Sequence, residues 1–142
     1  MPTISYDDLE SAFFWASSSG PFDNVAYVSK TTGEIFYSSE TNPTDEELPE
    51  DFEDEGLYCA VPHKNDLDLG RTLVFDFVDE QIPDQYMAVQ EIFRHRGAYA
   101  RFKDLLERAG RLQTWFEYEQ TATERALLTW AEEQGISVTK AP

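Results

Sequence analysis

Hydrophobic positions along the chain change period several times, and each change marks an element. Ser5 precedes Leu9, Ala12, Phe13 and Ala16, which recur at helical spacing. This predicts a first helix over residues 6–16, with Ser5 as N-cap, Asp8 as its capping-box partner, and Asp7 and Asp8 in the first turn near the positive end of the helix dipole. Ser-Ser-Ser-Gly-Pro then stops it. Residues 24–29 and 34–39 are short runs of β-branched and aromatic residues separated by Lys30-Thr31-Thr32-Gly33. They read as a β-hairpin in which Gly33 supplies the left-handed turn residue. Residues 57–61 return to strand character before Pro62, which places a third strand beside the hairpin.

From residue 66 onward the period is helical. Asp66 or Asp68 is expected to cap a second helix whose Leu69, Leu73, Val74, Phe77 and Val78 share a face and which ends near Ile82. Pro83 starts a third helix running to about Arg94, with Tyr86, Val89, Ile92 and Phe93 inward. A fourth spans residues 98–109, with Ala98, Phe102, Leu105, Leu106 and Ala109 on one stripe and Gly110 closing it. The fifth runs from Leu112 to about Gln134, with Leu112, Trp115, Phe116, Ala126, Leu127 and Trp130 sharing a stripe. The expected architecture is α+β: an N-terminal helix and small antiparallel sheet followed by a cluster of four helices, in a single domain over residues 1–142 whose helical C-terminal half covers 66–136.

Charge changes this picture in two places. Residues 41–56 form an acidic loop with eight carboxylates between positions 45 and 55, a density that disfavours compact structure. Residues 94–111 are the opposite: six of the eleven basic side chains, Arg94, Arg96, Arg101, Lys103, Arg108 and Arg111, against Asp104 and Glu107. This +4 island sits in a chain of net charge −17, so the remainder carries −21. Such an acidic total argues against general binding to nucleic acid or to an anionic membrane.

A helical projection divides the island. Lys103 with Glu107 and Asp104 with Arg108 are four apart and can pair across the outer face. Arg94, Arg96, Arg101 and Arg111 are the remainder left uncompensated by those two pairs. Three uses compete for them: internal pairing with the acidic loop, a site for an anionic ligand such as a phosphate or an acidic protein segment, and direct nucleic-acid contact with Tyr99 or Phe102 stacking on bases.

Other chemistry is sparse. Glu119 projects within the apolar stripe of the fifth helix, where a carboxylate needs an arginine partner or a raised pKa; the latter would suit acid–base work. His95 is spaced to share a face with Glu91 and Tyr99, and is the second acid–base candidate. His63, Asp66 and Asp68 have metal-capable side chains, but helix capping already accounts for the acids, so no metal and no cofactor is expected. Cys59 lies in a strand without an adjacent cation, as an inert thiol does, and Trp15, Trp115 and Trp130 read as core aromatics. One cysteine, no apolar run of membrane-spanning length and no basic, apolar leader at the N-terminus fit a cytoplasmic protein.

The segment RGAYARFKDLLERAGRLQTWF, continuing to TWAEEQGI, resembles a bacterial group, uncharacterised protein family 0158. The resemblance is carried by Gly97, Ala98, Tyr99, Arg101, Phe102, Lys103, Asp104, Trp115, Phe116, Trp130, Gly135 and Ile136, over about the last 45 residues. It departs from the family pattern at Ala100, where a basic residue is expected, and at Glu119, where arginine is expected. The resemblance implies a fold and no chemistry. The expectation from the residues is therefore a non-enzymatic binding or regulatory module engaged in protein–protein interaction, with the basic helix face and the acidic loop as its surfaces. An enzyme acting on an anionic substrate through Glu119 or His95, and an acidic mimic of nucleic acid, are the alternatives.

Overall fold

The computed structural model of the chain describes residues 2–18, 24–39 and 48–140. They belong to two compact units, Met1–Leu67 with Arg125–Pro142, and Asp68–Glu124.

In the first unit, strand β1 (Thr3–Ser5) leads directly into helix α1 (Tyr6–Ser17). Ser5 caps that helix as its position predicts, its Oγ accepting from the Asp8 N–H at 3.1 Å. The face spaced for burial is buried: Leu9, Ala12, Phe13 and Ala16. The hairpin forms from β2 (Asn24–Ser29) and β3 (Ile35–Ser39), and β4 (Tyr58–Ala60) joins the other side of β2, giving an antiparallel sheet of order β3-β2-β4. Ala26 and Val28 of the central strand are fully buried, as is most of Cys59, which is paired with Val28. At the turn, Gly33 has φ +81°, and a Cβ there would lie 2.7 Å from the Thr3 carbonyl oxygen. Glycine is thus required twice over, by its dihedral and by the approach of the Thr3 backbone. A second sheet, parallel, pairs β1 with β5 (Ser137–Thr139).

Trp15 departs from the expectation of a core aromatic. It is half-buried, and its indole N–H donates to the Val25 carbonyl at 3.0 Å and the Ser38 carbonyl at 3.3 Å. An indole needs a hydrogen-bond acceptor, and this one finds its acceptors on the backbone of adjacent strands.

The second unit contains α2 (Arg71–Gln81), α3 (Tyr86–Ile92), α4 (Ala98–Arg108) and the start of α5 (Leu112–Glu133). Neither Asp66 nor Asp68 caps α2. The cap position is Gly70, with no side-chain hydrogen bond. Asp66 instead belongs to a 3-10 turn, Lys64–Leu67, and its carboxylate accepts from the His63 N–H at 3.1 Å, while Asp68 takes a left-handed φ of +55°. The third helix is also shorter than expected. Pro83–Gln85 is a 3-10 turn, and the α-helix ends at Ile92, where tighter bonds from Arg94 N–H to Glu91 and from His95 N–H to Ile92 take over.

Gly110 closes α4 in a Schellman arrangement: the Arg111 N–H reaches the Leu106 carbonyl at 2.8 Å and the Gly110 N–H reaches that of Glu107 at 3.1 Å. Ala109, expected on the buried stripe, is exposed because the helix has already ended. Leu73, Val74, Phe77, Val78, Val89, Phe102, Leu106 and Trp115 form the core of this unit. Trp115 is its centre, with edge-on contacts to Phe77 and Phe102, each at 5.2 Å between ring centroids. On α5, Phe116 is 40% exposed, whereas Thr123, Leu127, Trp130 and Ala131 are buried. The buried stripe therefore runs through Trp115, Thr123 and Leu127, leaves Phe116 out and includes a threonine.

Candidate functional site

The basic island is assembled by the α3–α4 junction and by α4 itself. Gly97, at φ +73°, begins α4, and the hydrophobic residues Phe102 and Leu106 anchor that helix inward. Burial of those two on a 3.6-residue period obliges Arg101, Lys103, Asp104, Glu107 and Arg108 to lie in solvent, and all five are exposed.

The pairing expected across the outer face does not form. Arg108 donates from Nε to the backbone carbonyl of Asp104 at 3.4 Å, not to its carboxylate. Lys103 places its ammonium 5.8 Å from the centre of the Phe116 ring, a cation–π contact with the next helix, instead of meeting Glu107. Arg94 lies 3.4 Å from Glu91, whose other oxygen is 3.3 Å from His95 Nε2. Arg94 and His95 thus share one carboxylate on the surface. His95 is exposed there, as a surface partner of Glu91.

Within the island, Arg94 pairs with Glu91 and His95 meets the same carboxylate, and among the described residues no ion pair joins the island to residues 48–56 of the acidic loop. The rest of that loop, residues 41–47, lies outside the described residues. Arg96, Arg101, Arg108 and Arg111 are exposed and form no ion pair among the described residues. Beside Arg108 is a shallow hollow of about 400 Å³ bounded by Gln85, Leu105, Arg108 and Ala109. Neither Glu119 nor His95 reaches it.

Glu119 is half-buried. Its charge is felt by Tyr99, whose phenol is raised first by burial and then by Glu119, with Arg71 opposing. The Tyr99 ring lies edge-on to Phe93 at 5.1 Å. Arg71 is a residue the sequence reading missed. It lies outside the basic stretch and gives no local signal, yet its Nη2 donates to the Phe93 carbonyl at 2.9 Å and its guanidinium covers the rings of Phe75 and Phe93.

The remaining candidates make contacts within the fold. His63 is buried, and its Nδ1 accepts from the Asn65 N–H at 3.1 Å. No cluster of metal-ligating side chains occurs among the described residues. The Cys59 thiol is buried 3.8 Å from the Val28 carbonyl, and burial raises its pKa against a smaller lowering by Lys30. No helix among the described residues is long and apolar enough to cross a membrane.

Residues 11–141 match the Uncharacterised protein family (UPF0158). The chain belongs to that family. The match extends well beyond the 45 C-terminal residues that carry the resemblance in the sequence, taking in the hairpin and the acidic segment. No curated protein and no solved structure matches the chain. Within UPF0158 a functional reading of this protein therefore rests on its own geometry.

Proposed function

We propose that this protein is a non-enzymatic binding module whose basic α4 face takes an anionic group, carried by an acidic protein segment or by a small phosphorylated or carboxylated ligand. The observation that carries the reading is the set of four exposed arginines, Arg96, Arg101, Arg108 and Arg111, without an ion pair among the described residues of a protein that is rich in carboxylates. Arginine forks bind carboxylate and phosphate in a bidentate manner, and an exposed fork that is in no ion pair gives up no internal charge pairing when a ligand arrives. The hollow beside Arg108 offers Leu105 and Ala109 as an apolar flank and the Gln85 amide as a polar one.

The acidic segment is the second surface of this reading, and a single buried, unpaired thiol is compatible with a cytoplasmic setting. The enzyme alternative draws no support from the hollow, which includes neither Glu119 nor His95. Titration with a short polyglutamate peptide and with pyrophosphate tests the proposal. Binding of either by the wild type, lost in Arg101→Glu/Arg108→Glu with the fold intact, is the expected outcome. Equal behaviour of the two proteins would refute it.

A further inference from the structure

A second site lies in the first unit, on the face of the three-stranded sheet that carries Tyr27, Phe36 and Tyr58. Strand register sets it up. Tyr27 of β2 is paired with Ala60 of β4, and Tyr58, two residues before Ala60, is a diagonal neighbour of Tyr27 on the same face. Ala60 has no side chain beyond Cβ, so the position opposite Tyr27 is left unfilled. Phe52 comes in from the acidic segment and meets the Tyr27 ring edge-on at 5.2 Å. The result is a half-open hollow of about 560 Å³, within the ~300–1,000 Å³ usual for ligand sites. Its walls are Tyr27, Phe52 and Tyr58, and its rim is Glu53 and Glu55.

The charge around this hollow is negative on balance. Glu53 and Glu55 are exposed and form no ion pair among the described residues. Lys30 also lines the hollow, but its ammonium donates to the Glu55 backbone carbonyl at 2.7 Å, and the two carboxylates outnumber it. The Tyr58 phenol is raised, first by burial and then by Asp51, which also hydrogen-bonds it, and by Glu34. Negative charge therefore surrounds the aromatic walls on more than one side.

We infer that this hollow is a docking site for a basic peptide segment, an arginine or lysine side chain of the partner entering between Tyr27, Phe52 and Tyr58 with its charge met by Glu53 and Glu55. Aromatic faces attract a cation through their quadrupole, and carboxylates at the mouth supply its counter-charge. Charge complementarity selects the occupant: the same carboxylates repel nucleic acid and acidic peptides. This inference deepens the reading of the acidic segment as an interaction surface and is independent of the α4 face.

The test is calorimetric titration of the full chain with a synthetic peptide of alternating arginine and glycine. Three variants accompany the wild type: Glu53→Gln/Glu55→Gln, Ala60→Leu, and Glu117→Gln/Glu132→Gln, the last removing the same charge from exposed positions on α5 that do not line the hollow. The wild type is expected to bind, and the first two variants to lose roughly tenfold or more in affinity while the α5 variant stays near wild type. Ala60→Leu changes no charge and blocks only the floor, so it separates a shaped site from general attraction. Absence of binding, or equal losses in the pocket and α5 variants, would overturn the inference. Arg101→Glu/Arg108→Glu should keep peptide binding while losing the anionic probes, so the two proposals fail separately.

Discussion

Arg108 is hydrogen-bonded to the backbone of Asp104, 3.4 Å from its carbonyl oxygen, and makes no ion pair with its carboxylate. A favourable i, i+4 spacing is therefore present without the salt bridge it permits. Exposed pairs of this kind contribute only a few tenths of a kcal/mol to a helix, and side-chain entropy readily outweighs that. The consequence is a helix face whose arginines form no ion pair among the described residues. Arg101→Glu/Arg108→Glu should accordingly change stability little, within roughly 0.5 kcal/mol per substitution, as is usual for surface positions without a structural partner. Urea denaturation checks this, and a shift of several kcal/mol would reveal an internal role.

Gly33 should tolerate no side chain. Its left-handed φ and the 2.7 Å approach of a Cβ to the Thr3 carbonyl act together, so Gly33→Ala is expected to cost about 1–3 kcal/mol in denaturant titration. Gly110, also at positive φ, meets nothing within 4 Å of a Cβ, so Gly110→Ala should cost only about 1 kcal/mol.

Trp115 is 1% exposed, and its indole N–H has no hydrogen-bond partner among the described residues. Trp115→Ala should remove about 3–5 kcal/mol, because a large cavity opens among Phe77, Phe102 and Tyr118. Trp115→Phe should cost clearly less, since it retains part of the ring contact and eliminates a buried, unsatisfied donor. Thermal unfolding of the two variants distinguishes these contributions.

Stability should fall in alkali. Burial raises the Cys59 thiol above its ordinary 9.0 and contributes most to raising the phenols of Tyr99 and Tyr118 above 10.0. A group that holds its proton more tightly when folded favours the folded state below its unfolded pKa. That contribution is lost as pH rises from about 9 through the folded values. Denaturation midpoints measured from pH 7 upward should be flat and then decline above about pH 9. Cys59 should also resist alkylation at neutral pH until the protein unfolds.

The helices were legible in the sequence because their apolar period is carried by large residues over several turns. Leu9 to Ala16, Leu73 to Val78, and Phe102 with Leu106 are buried as spaced. The hairpin was legible through Gly33. The pairing of β1 with β5 was not, because each strand has three residues and the partners lie at opposite ends of the chain, beyond the reach of any local pattern. Asp66 misled because an acidic residue that closes a turn on His63 looks the same in sequence as one that caps a helix. The basic island could be read as a charge cluster, but its internal pairing could not. Whether Lys103 meets Glu107 or the Phe116 ring is decided by the placement of α5. The aromatic hollow was hidden for a similar reason: it depends on the register that sets Ala60 opposite Tyr27.

The most direct measurement of the central claim is the affinity of the wild type and of Arg101→Glu/Arg108→Glu for a fluorescently labelled polyglutamate peptide, followed by anisotropy at two salt concentrations. An α4 face that serves an anionic partner predicts wild-type binding that weakens as salt rises, and no binding by the charge-reversed protein. Binding of equal strength in both proteins, or in neither, would contradict it.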